Sequence, residues 1–85
     1  MDITYQYYNE VVLFFRDYEV DFRNGLIVID VPEDNKPFDR VCEKIETQLN
    51  RLAETLDRRD KDITVRIVRG GEERDIVFHK EESLE

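Results

Sequence analysis

The chain has 85 residues and a formal net charge of -8, with 40% of its residues charged and 40% hydrophobic. A chain of that size forms one domain around one core, and its content of Tyr, Phe, Val and Ile excludes a disordered polymer. The charge argues against general nucleic-acid binding, because phosphate backbones are held by Lys and Arg, and against anionic membrane surfaces.

A single cysteine, Cys42, excludes an internal disulfide and a cysteine-based metal site. A reducing, cytoplasmic setting is the matching expectation. No basic region followed by an apolar run opens the chain, so no secretory signal is expected. No stretch approaches the roughly 18 apolar residues of a membrane span. Acidity serves solubility first, and it also suits a basic protein partner or the imitation of nucleic-acid charge.

Residues 3–16 carry two competing patterns. Ile3, Tyr5 and Tyr7 alternate with Thr4, Gln6 and Tyr8, and Val11-Val12-Leu13-Phe14-Phe15 follows Asn9-Glu10. Aromatic and β-branched enrichment predicts two strands joined at Asn9-Glu10. Tyr5, Tyr8, Val12 and Phe15 also fit one face of a helix. The strand reading is preferred here, because Thr, Tyr, Val and Phe lose side-chain freedom in a helix. The alternation fails near Arg16-Asp17, which predicts a bulge or a change of element there.

Asp17 to Phe22 alternates polar and apolar residues, and Asn24-Gly25 precedes Leu26 to Val31. Asn-Gly favours a two-residue type I′ hairpin, in which both positions take positive φ. The register follows: Phe22 faces Ile27, Val20 faces Ile29 and Tyr18 faces Val31, with Asp21 across from Val28 and Glu19 across from Asp30. Pro32 ends the strand. Asp34 or Asn35 is the expected N-cap of the next element, with Pro37 in its first turn.

Pro37 to Arg59 reads as one long amphipathic helix. Phe38, Val41, Cys42, Ile45, Leu49, Leu52 and Leu56 fall at steps of three and four on one face. Each fully buried Leu or Ile contributes roughly 1.5–3 kcal/mol, so the helix requires a cover, and the flanking β-formers supply a sheet. Residues 62–80 then read as a second hairpin. Ile63, Val65 and Ile67 share one face, Gly70-Gly71-Glu72-Glu73 turns, and Ile76 and Phe78 return on one face.

The predicted fold is an α+β domain over residues 1–80. It has an antiparallel sheet of four to six strands in hairpin–helix–hairpin order, preceded by one or two N-terminal strands, with one long helix packed on one face. Residues 81–85 are expected to be a disordered tail, with Leu84-Glu85 resembling a cloning-site scar.

Chemistry-bearing residues are sparse. His79, the only histidine, has no nucleophile or ligand set to work with and reads as a surface residue. Cys42 lies on the apolar stripe and reads as a small buried hydrophobe. Carboxylate pairs such as Glu33-Asp34, Glu72-Glu73 and Glu81-Glu82 are expected by chance among 21 acidic residues. No enzyme, cofactor, metal or small-molecule ligand is indicated.

The aromatic N-terminus is the most informative feature. Val11 to Phe15 would place apolar groups on both faces of a strand, so its outer face needs a cover. The sequence therefore predicts a small acidic protein-interaction or regulatory domain. It would bind a protein partner, or itself as a homodimer, through aromatic N-terminal strands or a sheet edge. Tyr5, Tyr7, Phe14 and Phe15 are the expected contacts, and negative charge would steer a basic partner. One alternative is nucleic-acid binding through Arg66, Arg69, Arg74 and Lys80 of the C-terminal hairpin. Another is an engineered chain without a biological function. The Asn-Gly hairpin, the charge-rich helix and the scar favour that origin; Cys42 and the irregular first sixteen residues oppose it.

Overall fold

The computed structural model describes residues 3–55 and 62–79. In chain order the elements are α1 (Ile3–Phe14), β1 (Glu19–Arg23), β2 (Leu26–Asp30), α2 (Phe38–Glu54), β3 (Ile63–Arg69) and β4 (Glu72–Phe78). The four strands form one sheet in the order β1-β2-β3-β4.

Both hairpins form where turn chemistry places them. Asn24 (φ 52°) and Gly25 (φ 76°) both adopt the positive φ of a type I′ turn. The β1–β2 register is the expected one from Glu19 onward, with Phe22 opposite Ile27, Val20 opposite Ile29, Asp21 opposite Val28 and Glu19 opposite Asp30. The expected Tyr18–Val31 pair is not in the ladder, because Tyr18 lies in the bend before β1. The second hairpin turns at Gly70-Gly71, and β4 already begins at Glu72. Ile76 and Phe78 are buried, as their alternation requires.

The sheet is mixed rather than antiparallel. β2 and β3 run parallel, with Ile27 beside Val65 and Ile29 beside Ile67. The physical reason is the crossover: α2 carries the chain from the end of β2 back along the sheet, so β3 starts at the same end as β2. A one-residue extension of this pairing is visible at Val31, whose N–H donates to the Val68 carbonyl at 2.8 Å.

The N-terminal strands predicted for residues 3–16 are absent; Ile3–Phe14 is a helix, and the described residues hold two helices where one was expected. Asn9-Glu10 lacks the glycine that a tight hairpin turn favours. The four-residue steps Tyr7, Val11 and Phe15 instead supply a stripe that is buried against the rest of the core. Tertiary burial of that stripe overrides weak helix propensity. The inward face is also rotated from the helical alternative: Thr4, Tyr7 and Val11 are buried, whereas Tyr5 and Val12 are exposed. The break near Arg16-Asp17 is a change of element, from α1 to β1.

Both helices lie on one face of the sheet, α1 beside β1 and α2 beside β4. Phe38, Cys42, Ile45, Leu49 and Ala53 of α2 enter the core, while Val41 and Leu52 are half-buried at its margin. The expected Leu56 contact lies outside the described residues. Tyr7 joins the two helices: its hydroxyl donates to the Leu49 carbonyl at 2.7 Å, and its ring meets Phe78 edge-on at 5.7 Å. The N-cap of α2 is Pro37, without a side-chain cap, rather than Asp34 or Asn35. Asp34 is instead occupied by the turn before the helix, where its Oδ1 accepts from the Lys36 N–H at 2.9 Å.

Candidate functional site

α1 packs through one stripe and leaves a second apolar surface uncovered. Tyr7 and Phe15 are 0% and 7% exposed, so two of the four expected contact residues belong to the core. Tyr5 and Phe14 are 47% and 52% exposed. Leu13 (63%) and Val12 (37%) continue the surface from Phe14. A helix turns about 100° per residue, so three consecutive apolar residues cannot all face one core. Val12-Leu13-Phe14 therefore forms a ridge at the C-terminal end of α1, with Tyr5 near the other end, stacked on Phe22 at 6.1 Å. The ridge is nearly free of charge, since Glu10 is the sole charged residue of the helix.

The aromatic run continues beneath the ridge. Phe14 meets Phe15 edge-on at 5.1 Å, and Phe15 stacks on Tyr18 at 5.8 Å. Tyr18 and Lys44 belong to two clefts at once. The smaller, about 180 Å³, opens between Phe14, Phe15, Ile45 and Gln48. The larger, about 400 Å³, lies where the end of β2 meets the first turns of α2. Its walls are Tyr18, Val31, Pro32 and Val41, and its polar groups are Asp34, Lys36, Arg40 and Lys44.

The connector that walls the larger cleft is fixed by Arg69. This guanidinium is buried; Nη1 donates to the Lys36 carbonyl at 2.8 Å and to Asp34 Oδ1 at 3.1 Å, and Nη2 to Glu72 Oε1 at 3.2 Å. It also lies 5.4 Å over the Phe38 ring. Arg69 thus ties the end of β3 to residues 34–38 and holds Lys36 in place.

Of the four basic residues considered for nucleic acid, the three described ones do not make one patch. Arg66 lies on the helix-free sheet face, bonded through two nitrogens to Asp75 at 2.7 and 3.1 Å. Arg69 is enclosed as described, and Arg74 is bonded to Asp39 at 2.9 Å on the helix side. Lys80 lies outside the described residues.

His79 is exposed, 3.8 Å from Asp62. Burial pushes the Cys42 thiol above its ordinary value, which disfavours the reactive thiolate. Among the described residues, no group of three or more His, Cys, Asp or Glu is placed to hold a metal ion. No helix among them is long and apolar enough to cross a membrane.

Sequence reasoning singled out neither Val12 and Leu13 as contacts nor the trio Lys36, Arg40 and Lys44. A signal existed for part of the trio: Arg40 and Lys44 lie four residues apart on one line of α2, whereas Lys36 precedes the helix. No protein-family model matches the chain, and comparison with curated proteins and with solved structures finds no significant match.

Proposed function

We propose that this chain is a small protein-interaction domain that binds through the outer surface of α1, with Val12, Leu13 and Phe14 as the apolar anchor and Tyr5 as an outlying contact. The observation that carries the reading is the ridge itself. Isolated exposed apolar residues are ordinary, but Leu13 and Phe14, each more than half exposed side by side at the end of α1, favour a surface that is covered in the working state. Aromatic and large aliphatic side chains supply most of the binding energy of protein interfaces. The low charge of α1 lets two copies approach along it without close repulsion, and a second copy is the occupant most consistent with that surface. If the occupant is another protein, the acidity of the rest of the chain favours a basic one.

The test is light scattering after size exclusion across a concentration series, for the natural chain and for the double variant L13E/F14E. Neither substitution removes a buried side chain, so the variant should retain its fold by circular dichroism. A dimer in the natural chain and a monomer in the variant is the expected result. Should the natural chain stay monomeric, a partner from source-cell extract retained by it and lost by the variant would place the interface with another protein. A monomer that retains nothing the variant does not also retain overturns the reading.

A further inference from the structure

We propose that the 400 Å³ cleft between the end of β2 and the start of α2 is a binding site for a small amphiphilic anion: a compact aromatic or aliphatic body carrying a carboxylate or a phosphate monoester. Its volume falls within the range of small-ligand pockets, and its lining has the usual composition of apolar walls with a few convergent polar groups. Tyr18, Val31, Pro32 and Val41 form the walls for the apolar body. Lys36, Arg40 and Lys44 stand around it, against one carboxylate, Asp34.

The charge arrangement is what points to an anion. This chain holds 21 acidic residues against 13 basic ones. Arg23, Arg66, Arg69 and Arg74 are each bonded to a carboxylate. Among the described residues, no ion pair involves Lys36, Arg40 or Lys44. Asp34, the one carboxylate in the lining, is already engaged, accepting from Arg69 and from the Lys36 N–H. The positive end of α2, which lacks a side-chain cap, adds to the same corner. At physiological ionic strength the Debye length is about 8 Å, so the distant acids are screened and the local trio decides what binds.

None of Val12, Leu13 and Phe14 lines this cleft; Phe14 lines the smaller neighbouring one, and Leu13 lines neither. The experiment is an amide NMR titration of the full chain with phenyl phosphate, with inorganic phosphate and with benzyl alcohol as partial probes. Phenyl phosphate should move the amides of Tyr18 and of residues 31–44 saturably, and each partial probe should bind about tenfold more weakly. The triple variant K36Q/R40Q/K44Q, whose side chains are exposed, should keep its spectrum elsewhere and lose about tenfold in affinity. L13E should bind as the natural chain does, whatever its effect on assembly. Sedimentation with phosphatidylcholine vesicles containing phosphatidylserine distinguishes a free anion from a lipid headgroup. No co-sedimentation is expected, and co-sedimentation that depends on the trio would overturn the small-molecule assignment. It is equally overturned by an absence of saturable shifts, by inorganic phosphate reproducing the response at equal affinity, or by undiminished binding to the triple variant.

Discussion

Arg69 and Arg66 sit three residues apart on one strand and do opposite things. Arg69 points among the helices, where a buried cation is tolerated only if its donors are matched. It reaches three acceptors, and among the described residues no buried side-chain nitrogen or oxygen lacks a partner. Arg66 lies on the sheet face without helices, opposite Asp75 in the β3–β4 ladder. Its forked bond to that carboxylate lowers the Asp75 pKa below the ordinary 3.8, despite a small opposing effect of burial. A depressed carboxylate pKa contributes stability that is present above the unfolded value and lost as pH falls through the folded one. The expected outcome in a carbon-detected NMR pH titration is an Asp75 midpoint below 3.8, moving upward in R66Q. An unchanged midpoint in R66Q would assign the shift to another source. The pair is exposed to solvent, so its effect belongs to the acid limb of the stability curve and should fade with added salt.

Hairpin β1–β2 shows the cost of a required backbone conformation in isolation. An added Cβ at Gly25 would meet nothing within 4 Å, so G25A tests φ +76° alone. Leaving the left-handed region to a residue with a Cβ costs about 1–2 kcal/mol, and the lower entropy of the unfolded alanine chain returns about 0.4–1 kcal/mol. A net loss of about 1 kcal/mol, or a fall of about 5 °C in melting temperature, is expected from thermal unfolding. This hairpin was also the most legible element, because Asn24-Gly25 and the Val20, Phe22, Ile27, Ile29 alternation specify the same register. The stripe from Phe38 to Leu49 was legible for a similar reason: one period, sustained over several turns. α1 was not. Val11 to Phe15 is apolar at every position, and a continuous apolar run carries no period that separates strand from helix. The parallel β2–β3 pairing was hidden as well, since it depends on where α2 lays the chain down and not on either hairpin alone. Of the candidate surfaces, the sequence indicated that the N-terminal aromatics need a cover. Only the coordinates separate exposed Tyr5 and Phe14 from enclosed Tyr7 and Phe15. The cleft was beyond reach, because its walls come from three separate stretches, Tyr18, Val31 to Lys36 and Arg40 to Lys44, that only the fold brings together.

At the scale of the whole molecule, the chain carries an excess of eight negative charges over 85 residues. Compaction brings those charges together, and unfolding relieves the repulsion. Exposed ion pairs act in the other direction, but each contributes little, and among the described residues the carboxylates paired with an arginine are Asp21, Asp34, Asp39, Glu72 and Asp75. Repulsion should therefore dominate, and salt should stabilise. The Debye length falls from about 30 Å at 0.01 M to about 8 Å at 0.15 M, spanning the dimensions of the fold. Urea unfolding is the suitable measurement, because urea carries no charge of its own. A gain of roughly 1 kcal/mol across that salt range is expected, with little further change above it. The structure also locates part of the repulsion. Glu19 and Asp30 are directly opposed on the open sheet face, an arrangement that disfavours strand pairing. D30N should raise stability by a few tenths of a kcal/mol at low salt and leave it unchanged at high salt. A chain that instead loses stability as salt is added would show that its ion pairs outweigh its net charge, and the acidity would then need a reason other than solubility.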